Sequence, residues 1–234
     1  MKNFAYLLFA FLLTLAPVLQ AKDVAAAGVY FDPASFDYKT LLPDPPAVGS
    51  PEAKKEIELI LEKQKSRTED DKKRIKLAEH PSMALFQDTL GSWFDLKKLS
   101  ATATLLKNVD ADAHPVVEAA KAHWNRPRPP LQDSRVQASL DLPKNTSYPS
   151  GHASFGMLNA LILAELVPDL KEQIMARGMQ IGDDRVIAGI HFPSDVEAGR
   201  TLGKALFAKF MVNPAFQADM TKARAEIMAA RAKP

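Results

Sequence analysis

From residue 50 onward the apolar residues of this chain recur every three or four positions and hardly anywhere at every second position. That repeat lines one face of an α-helix and cannot line one face of a strand, so the chain is restricted to packing helix on helix. Helix start signals say the same. Ser50-Pro51-Glu52 sets a capping residue before a proline and an acid, after which Ile57, Ile60 and Leu61 share one face of a segment running to Ser66. Comparable patterns predict helices near 68–80, 82–89, 93–108, 113–125, 151–166, 168–190, 195–211 and 214–231. The expected fold is therefore all-α, a single-domain helical bundle over 51–234, preceded by an extended arm at 28–50 that holds four prolines.

The first residues follow another rule. Lys2 precedes an apolar run from Phe4 to Leu19, and small residues follow at Ala21 and at Ala25 to Ala27. This is the pattern of a secretory signal, with cleavage after 21 or as late as 27. An uncleaved anchor helix is the alternative, but the run is short for a bilayer and Pro17 sits near its end. Removing 1–21 takes away Lys2 and no acid, leaving 29 basic residues against 28 acidic ones. So even a balance does not point to nucleic acid. The chain has no cysteine, so a secreted product must be held by its core rather than by disulfides. No second apolar run is long enough to span a membrane, which excludes stable membrane insertion of the mature chain and places it outside the cytoplasm.

Three clusters hold residues suited to chemistry. In "NTSYPSGHASFG" (145–156), Pro149 closes a turn and Ser150 caps the helix that begins at Gly151. The backbone N–H groups after Ser150 then face forward unpaired, a ready anion site with His152 in its first turn. In "KAHWNRPRPP" (121–130), Lys121 ends an amphipathic helix, and Arg126 and Arg128 each precede a proline that fixes the backbone and is expected to aim both arginines in one direction. Arg128 can grip two oxygens of a tetrahedral oxyanion while Lys121 adds a point charge. In "DDRVIAGIHFPSDVEAGR" (183–200), His191 lies just before a helix that starts at Pro193, and Asp195 lies in its first turn. The carboxylate can take the proton of one imidazole nitrogen and leave the other as nucleophile or base. Taken singly, each cluster has a plainer reading: a capped helix, a solvated basic helix end, a structural His–Asp pair. His80, His114 and His123 read as surface or packing residues. Two separated histidines and one carboxylate make a thin ligand set, so no metal and no other cofactor is expected.

Together the clusters give Lys121, six residues, Arg128-Pro129; then Pro149-Ser150-Gly151-His152; then Arg185, five residues, His191, three residues, Asp195. This resembles the signature of the type 2 phosphatidic acid phosphatase superfamily, which also includes vanadium haloperoxidases. Within it, "LLPDPPAVGS", "SYPSGH", "HFPSDVEAGR" and "NPAFQ" look like the class A bacterial non-specific acid phosphatases, across nearly the whole mature chain. The resemblance implies a periplasmic, metal-independent acid phosphatase with small phosphomonoester substrates, broad specificity and a homo-oligomeric state. It implies that His191 forms a phosphohistidine, that Asp195 orients it, and that His152 protonates the leaving alcohol and then activates water. It assigns Lys121, Arg128, Ser150, Gly151 and Arg185 to the phosphate oxygens. A neutral His191 beside a protonated His152 implies a bell-shaped pH profile on the acid side of about 7.

One residue departs from that pattern. The family usually has Ser before the arginine of the third cluster, whereas this chain has Asp184, itself preceded by Asp183. Asp184 is expected to turn to solvent; facing Arg185, it would weaken phosphate binding. A haloperoxidase and a binding module without turnover are the rival readings, and a lipid phosphatase docking on membranes is a third. The short mature chain and the full set of His152, His191 and Asp195 favour the phosphatase.

Overall fold

The computed structural model describes residues 28–232, and the amino-terminal secretory segment read from the sequence lies outside the described residues. Among the described residues seven helices carry the fold: α1 (Pro51–Ser66), the short α2 (Glu69–Leu77), α3 (Ser100–Trp124), α4 (Gly151–Leu166), α5 (Lys171–Ile187), α6 (Pro193–Met211) and α7 (Pro214–Arg231). Short helical turns at Pro33–Ser35, Tyr38–Leu41, Met83–Phe86, Gln87–Leu90, Pro129–Gln132 and Pro168–Leu170 join or flank them. Among the described residues there is no strand, as the periodicity predicts.

α4 is the centre. Its side chains are apolar and buried on nearly every face, so it needs neighbours on all sides, and it packs most extensively against α5 and α6. Close approach is bought with glycine. A Cβ added at Gly178 of α5 would sit 2.7 Å from the Gly156 carbonyl oxygen of α4, and one at Gly203 of α6 would sit 2.7 Å from that of Ser154. Neither backbone oxygen can move aside, so the two crossings depend on the missing side chains.

The sequence-predicted helices at 51–66, 151–166 and 214–231 are observed with the same bounds. The pair expected at 93–108 and 113–125 is instead one helix, α3. Leu105, Val109, Ala113, Val116 and Ala120 form an unbroken buried stripe through it. Two residues within it are compatible with the helix for different reasons. Asp112 is buried because its carboxylate accepts from Val29 N, Tyr30 N and Phe31 N at 2.7, 2.7 and 3.2 Å, tying the arm to the bundle. Pro115 is exposed, as is Ala111, so the carbonyl that loses its helical partner faces water. Residues 93–99 are turns, and α3 starts where Glu226 of α7 accepts from Ala101 N and Thr102 N at 3.0 and 2.9 Å. The helix expected at 168–190 ends at Ile187, since Gly189 adopts φ +74°. The arm at 28–50 is partly coiled into its two short turns rather than extended throughout.

Gly178→Ala tests the crossing of α4 and α5. Overpacking costs about 1–3 kcal/mol and the gain in helix propensity returns under about 1. The thermal midpoint is expected to fall by roughly 2–8 °C, which calorimetry reads directly; an unchanged midpoint means that the helices separate without cost.

Candidate active site

Four chain segments converge in front of α4. Ser150 is its N-cap, with Oγ accepting from Ala153 N at 3.4 Å, and the Ser150 N–H is itself anchored on the Asp195 carbonyl at 2.9 Å. The start of α4 is thereby fixed to the start of α6. The first residues of α4, Gly151 and His152, line a cavity of about 460 Å³ that lies between α3 and α4.

Lys121, Arg128, Gly151, His152 and His191 line that cavity, while Ser150, Arg185 and Asp195 are fully buried and do not line it. Lys121 is 4% exposed and donates from Nζ to the Thr146 carbonyl at 2.7 Å. Burial, helped by the Arg128 charge, lowers its pKa to about 8. Arg128 donates from Nε to the Asn145 carbonyl at 3.0 Å, from Nη1 to the Ile190 carbonyl at 2.8 Å and from Nη2 to Asn145 Oδ1 at 2.8 Å. Arg185 is wholly buried; its Nη2 reaches the Ile75 carbonyl at 3.4 Å, and its Nε has no hydrogen-bond partner. Among the described residues none of these three cations has a carboxylate within ion-pair distance. The other buried or nearly buried arginines differ. Arg126 pairs with Asp195 and Glu56, and Arg200 with Asp183 and Glu197. Three desolvated cations without counterions are costly unless an anion joins them.

The tautomer of His191 follows from its neighbours. Arginine only donates, so the 3.1 Å contact of Arg128 Nη1 makes His191 Nε2 an acceptor. Nδ1 therefore carries the proton and donates to Asp195 Oδ2 at 3.2 Å. Burial above all, with Arg128 and Lys121 nearby, holds the His191 pKa down to about 3 against the opposing pull of Asp195. His191 reaches this place through the left-handed turn at Gly189.

His152 is half-buried in the first turn of α4. Its Nε2 lies 3.1 Å from the Ala78 carbonyl and 3.5 Å from Arg185 Nη1; the shorter contact takes an N–H on Nε2, which leaves the Arg185 approach a charge contact rather than a hydrogen bond. Burial first, then the charge of Arg185, pushes its pKa down to about 2.

The sequence had left Arg126 without a role, and the structure turns it away from the cavity. It donates from Nη1 to Asp195 Oδ1 at 2.6 Å, from Nη2 to Glu56 Oε2 at 2.8 Å, and lies over the Phe192 ring at 3.8 Å. Ser147, also missed, donates to Asp195 Oδ2 at 2.5 Å. The prolines do not aim the two arginines in one direction: Arg128 faces the cavity, whereas Glu56 and Asp195 draw Arg126 away from it. Asp184 requires a correction. It does not turn to solvent but is fully buried, and it accepts from Arg74 Nε at 3.0 and 3.1 Å and from Nη2 at 2.8 Å. No ion pair joins it to Arg185. His80, His114 and His123 are exposed as expected, although the first two lie at the cavity mouth.

The pattern of the PAP2 superfamily matches residues 101–217. The chain is 33% identical over 202 residues to a non-specific acid phosphatase of Providencia stuartii, covering 82% of this chain and 81% of that one. It is 29% identical over 229 residues to a non-specific acid phosphatase of Salmonella typhi, covering 93% and 92%. A relative of the same name from Salmonella typhimurium is 36% identical over 148 residues, covering 61% of this chain and 59% of its own. In three dimensions it is similar to a transmembrane PAP2 type phosphatidylglycerolphosphate phosphatase from Bacillus subtilis. That likeness has a TM-score of 0.50 at 18% identity and covers 69% of this chain and 85% of that one, a likeness of fold alone. The chain belongs to the PAP2 superfamily and, within it, to the class A bacterial non-specific acid phosphatases, hydrolases of phosphoric monoesters. No helix among the described residues is long and apolar enough to cross a membrane.

Two substitutions separate an anion site from a structural charge. Arg126→Met strips Asp195 and Glu56 of their buried partner and is expected to cost about 3–5 kcal/mol, lowering the thermal midpoint by roughly 10 °C. Lys121→Met removes a buried cation that has no counterion, so its midpoint is expected to equal or exceed that of the parent. Inorganic phosphate should raise the parent's midpoint and raise that of Lys121→Met much less. A loss in Lys121→Met as large as in Arg126→Met means that Lys121 holds the fold together.

Proposed function

We propose that this chain is a secreted, periplasmic, metal-independent acid phosphatase that hydrolyses small phosphomonoesters through a phosphohistidine at His191. The observation that carries the reading is the set of three buried cations without carboxylate partners, Lys121, Arg128 and Arg185, beside two imidazoles of low basicity at a helix N-terminus. A phosphate dianion supplies the charge that this environment lacks.

In this reading His191 Nε2 attacks phosphorus in line while Asp195 keeps the proton of Nδ1 and stabilises the charge the ring acquires. Arg128, which covers Nε2 at 3.1 Å, moves its donor onto a phosphoryl oxygen as the nucleophile is freed. Lys121, Arg128, Arg185, Ser150 and the Gly151 N–H hold the equatorial oxygens, where charge grows in the transition state. The ester P–O bond breaks, and His152 gives its proton to the leaving alkoxide. His152 then takes a proton from water, whose oxygen attacks the phosphohistidine; the P–N bond breaks and phosphate departs. Nε2–H of His152 stays on the Ala78 carbonyl, which leaves Nδ1 to exchange the working proton. The cavity of about 460 Å³ far exceeds a phosphate, and Val117, Phe155 and Leu158 give the organic group an apolar wall. Broad specificity agrees with such a wall, since it makes no directional demand on the alcohol. Secretion rests on the pattern of residues 1–27, and a homo-oligomeric state rests on the family.

Purified protein in excess EDTA is expected to release phosphate from p-nitrophenyl phosphate, with His191→Ala reducing kcat by at least about a thousandfold. Rapid acid-free quenching should show one added phosphoryl group on His191 by mass. Turnover that survives the substitution removes His191 as the nucleophile.

The pH profile follows from the low basicity of His152. With its pKa near 2 in the free enzyme, the proton it delivers must arrive with the substrate monoanion. Phosphomonoesters lose that proton at about pH 6. Above roughly pH 6–7, kcat/KM should fall about tenfold per unit. Lys121, charged below about 8 and neutral above, should then raise KM further. A flat kcat/KM from about pH 5 to 9 contradicts this proton inventory.

A further inference from the structure

Of the nine residues of α2, only Ile75 is buried, and the rest of "EDDKKRIKL" is largely charged. A helix this short has no stability of its own in water, so its position is whatever its docking contacts make it. Those contacts are few. Ile75 packs on Ala188 and Ile190, Arg67 donates from Nε to the Ile187 carbonyl at 2.8 Å just before α2, and Arg74 grips Asp184 with both Nε and Nη2. The carboxylate of Asp184 is wholly buried, whereas the Arg74 side chain is 28% exposed and also holds Asp71 at 2.7 Å. A bidentate pair of this kind fixes angle as well as distance, which an isoleucine contact does not.

The position of α2 matters because its C-terminal carbonyls face the site. Arg74 lies one residue before Ile75, whose carbonyl receives Arg185 Nη2 at 3.4 Å, and four before Ala78, whose carbonyl receives His152 Nε2 at 3.1 Å. Ala78 N in turn closes on the Arg74 carbonyl at 3.1 Å, so the capping residue moves with the arginine. We propose that Asp184 and Arg74 are a positioning pair for leaving-group protonation, holding the end of α2 so that the Ala78 carbonyl orients His152. This rests on the reading of His152 as the general acid. Neither residue lines the cavity, and neither touches substrate. The carbonyls of Ala78 and Glu79 also favour the protonated imidazole against its burial, so losing them removes both aim and basicity.

Leaving groups separate this role from a purely structural one. p-Nitrophenolate departs without a proton, whereas an alkoxide needs one, so the ratio of kcat/KM for glycerol 2-phosphate to that for p-nitrophenyl phosphate reads the general acid alone. Both values are measured on one preparation, which makes the aryl substrate the check on folding. Asp184→Asn is expected to lower the ratio by about tenfold or more while the aryl kcat/KM stays within about threefold. Arg74→Gln, at a partly exposed position, should do the same if Asp184→Asn fails to fold, and Arg74→Lys should recover part of the ratio. His152→Ala is the reference, with a larger loss on the alkyl substrate than on the aryl one. An equal fall on both substrates, or no fall in the ratio, in the pair variants overturns the positioning role while leaving His152 as the acid. A His152→Ala enzyme that does not discriminate overturns the acid assignment and the pair's role with it.

Discussion

One buried carboxylate ties the site to the fold. Asp195 accepts from Arg126 Nη1, Ser147 Oγ, Phe192 N and His191 Nδ1, and its own carbonyl receives the N–H of Ser150. These donors come from three segments of the chain: the turn after α3, the loop and cap that open α4, and the turn that leads from α5 into α6. A fully desolvated carboxylate is tolerable only with such a set of donors, and here they hold it well below the usual carboxylate range despite its burial. The consequence runs both ways. The bundle must bring these segments together to satisfy Asp195, and once satisfied Asp195 fixes which nitrogen of His191 is free.

The same region then carries an opposite imbalance a few ångströms away. Asp195 is fully compensated, yet Lys121, Arg128 and Arg185 are held by carbonyl oxygens rather than carboxylates. Carbonyls orient a cation without cancelling its charge, so the site keeps a net positive field where a dianion would sit. Burial first, with the neighbouring cations adding to it, depresses Lys121 to about 8 and the two histidines to about 3 and 2. Stability is given up here, and the close packing of α4 against α5 and α6 supplies it elsewhere.

What the sequence made legible was local. Ser150-Gly151 as a helix start and the spacing of His191 to Asp195 are short-range facts, since a cap and an i,i+4 pair are decided within one turn. What it concealed was decided by distant partners. The burial of Asp112 has no local signal, because the N–H groups it accepts from, those of residues 29–31, lie 81 to 83 positions away. Arg126 and Arg128 share a local context, and only the placement of Glu56 and Asp195 sends one away from the cavity. Asp184 was misjudged for the same reason, its partner Arg74 being 110 residues off.

Asp184 also shows how a departure from a family pattern can leave the neighbouring cation unpaired. Successive residues on a helix point about 100° apart, so a carboxylate beside Arg185 in sequence need not face it in space. Here Arg185 turns toward His152 and the Ile75 carbonyl, while Asp184 turns toward Arg74. The acid therefore leaves the positive field of the site in place and spends its charge on a second arginine. A serine in that place could accept a hydrogen bond but could not hold a guanidinium by two parallel contacts. The polar anchor of α2, and with it the carbonyl that His152 leans on, is accordingly a property of the residue that breaks the pattern.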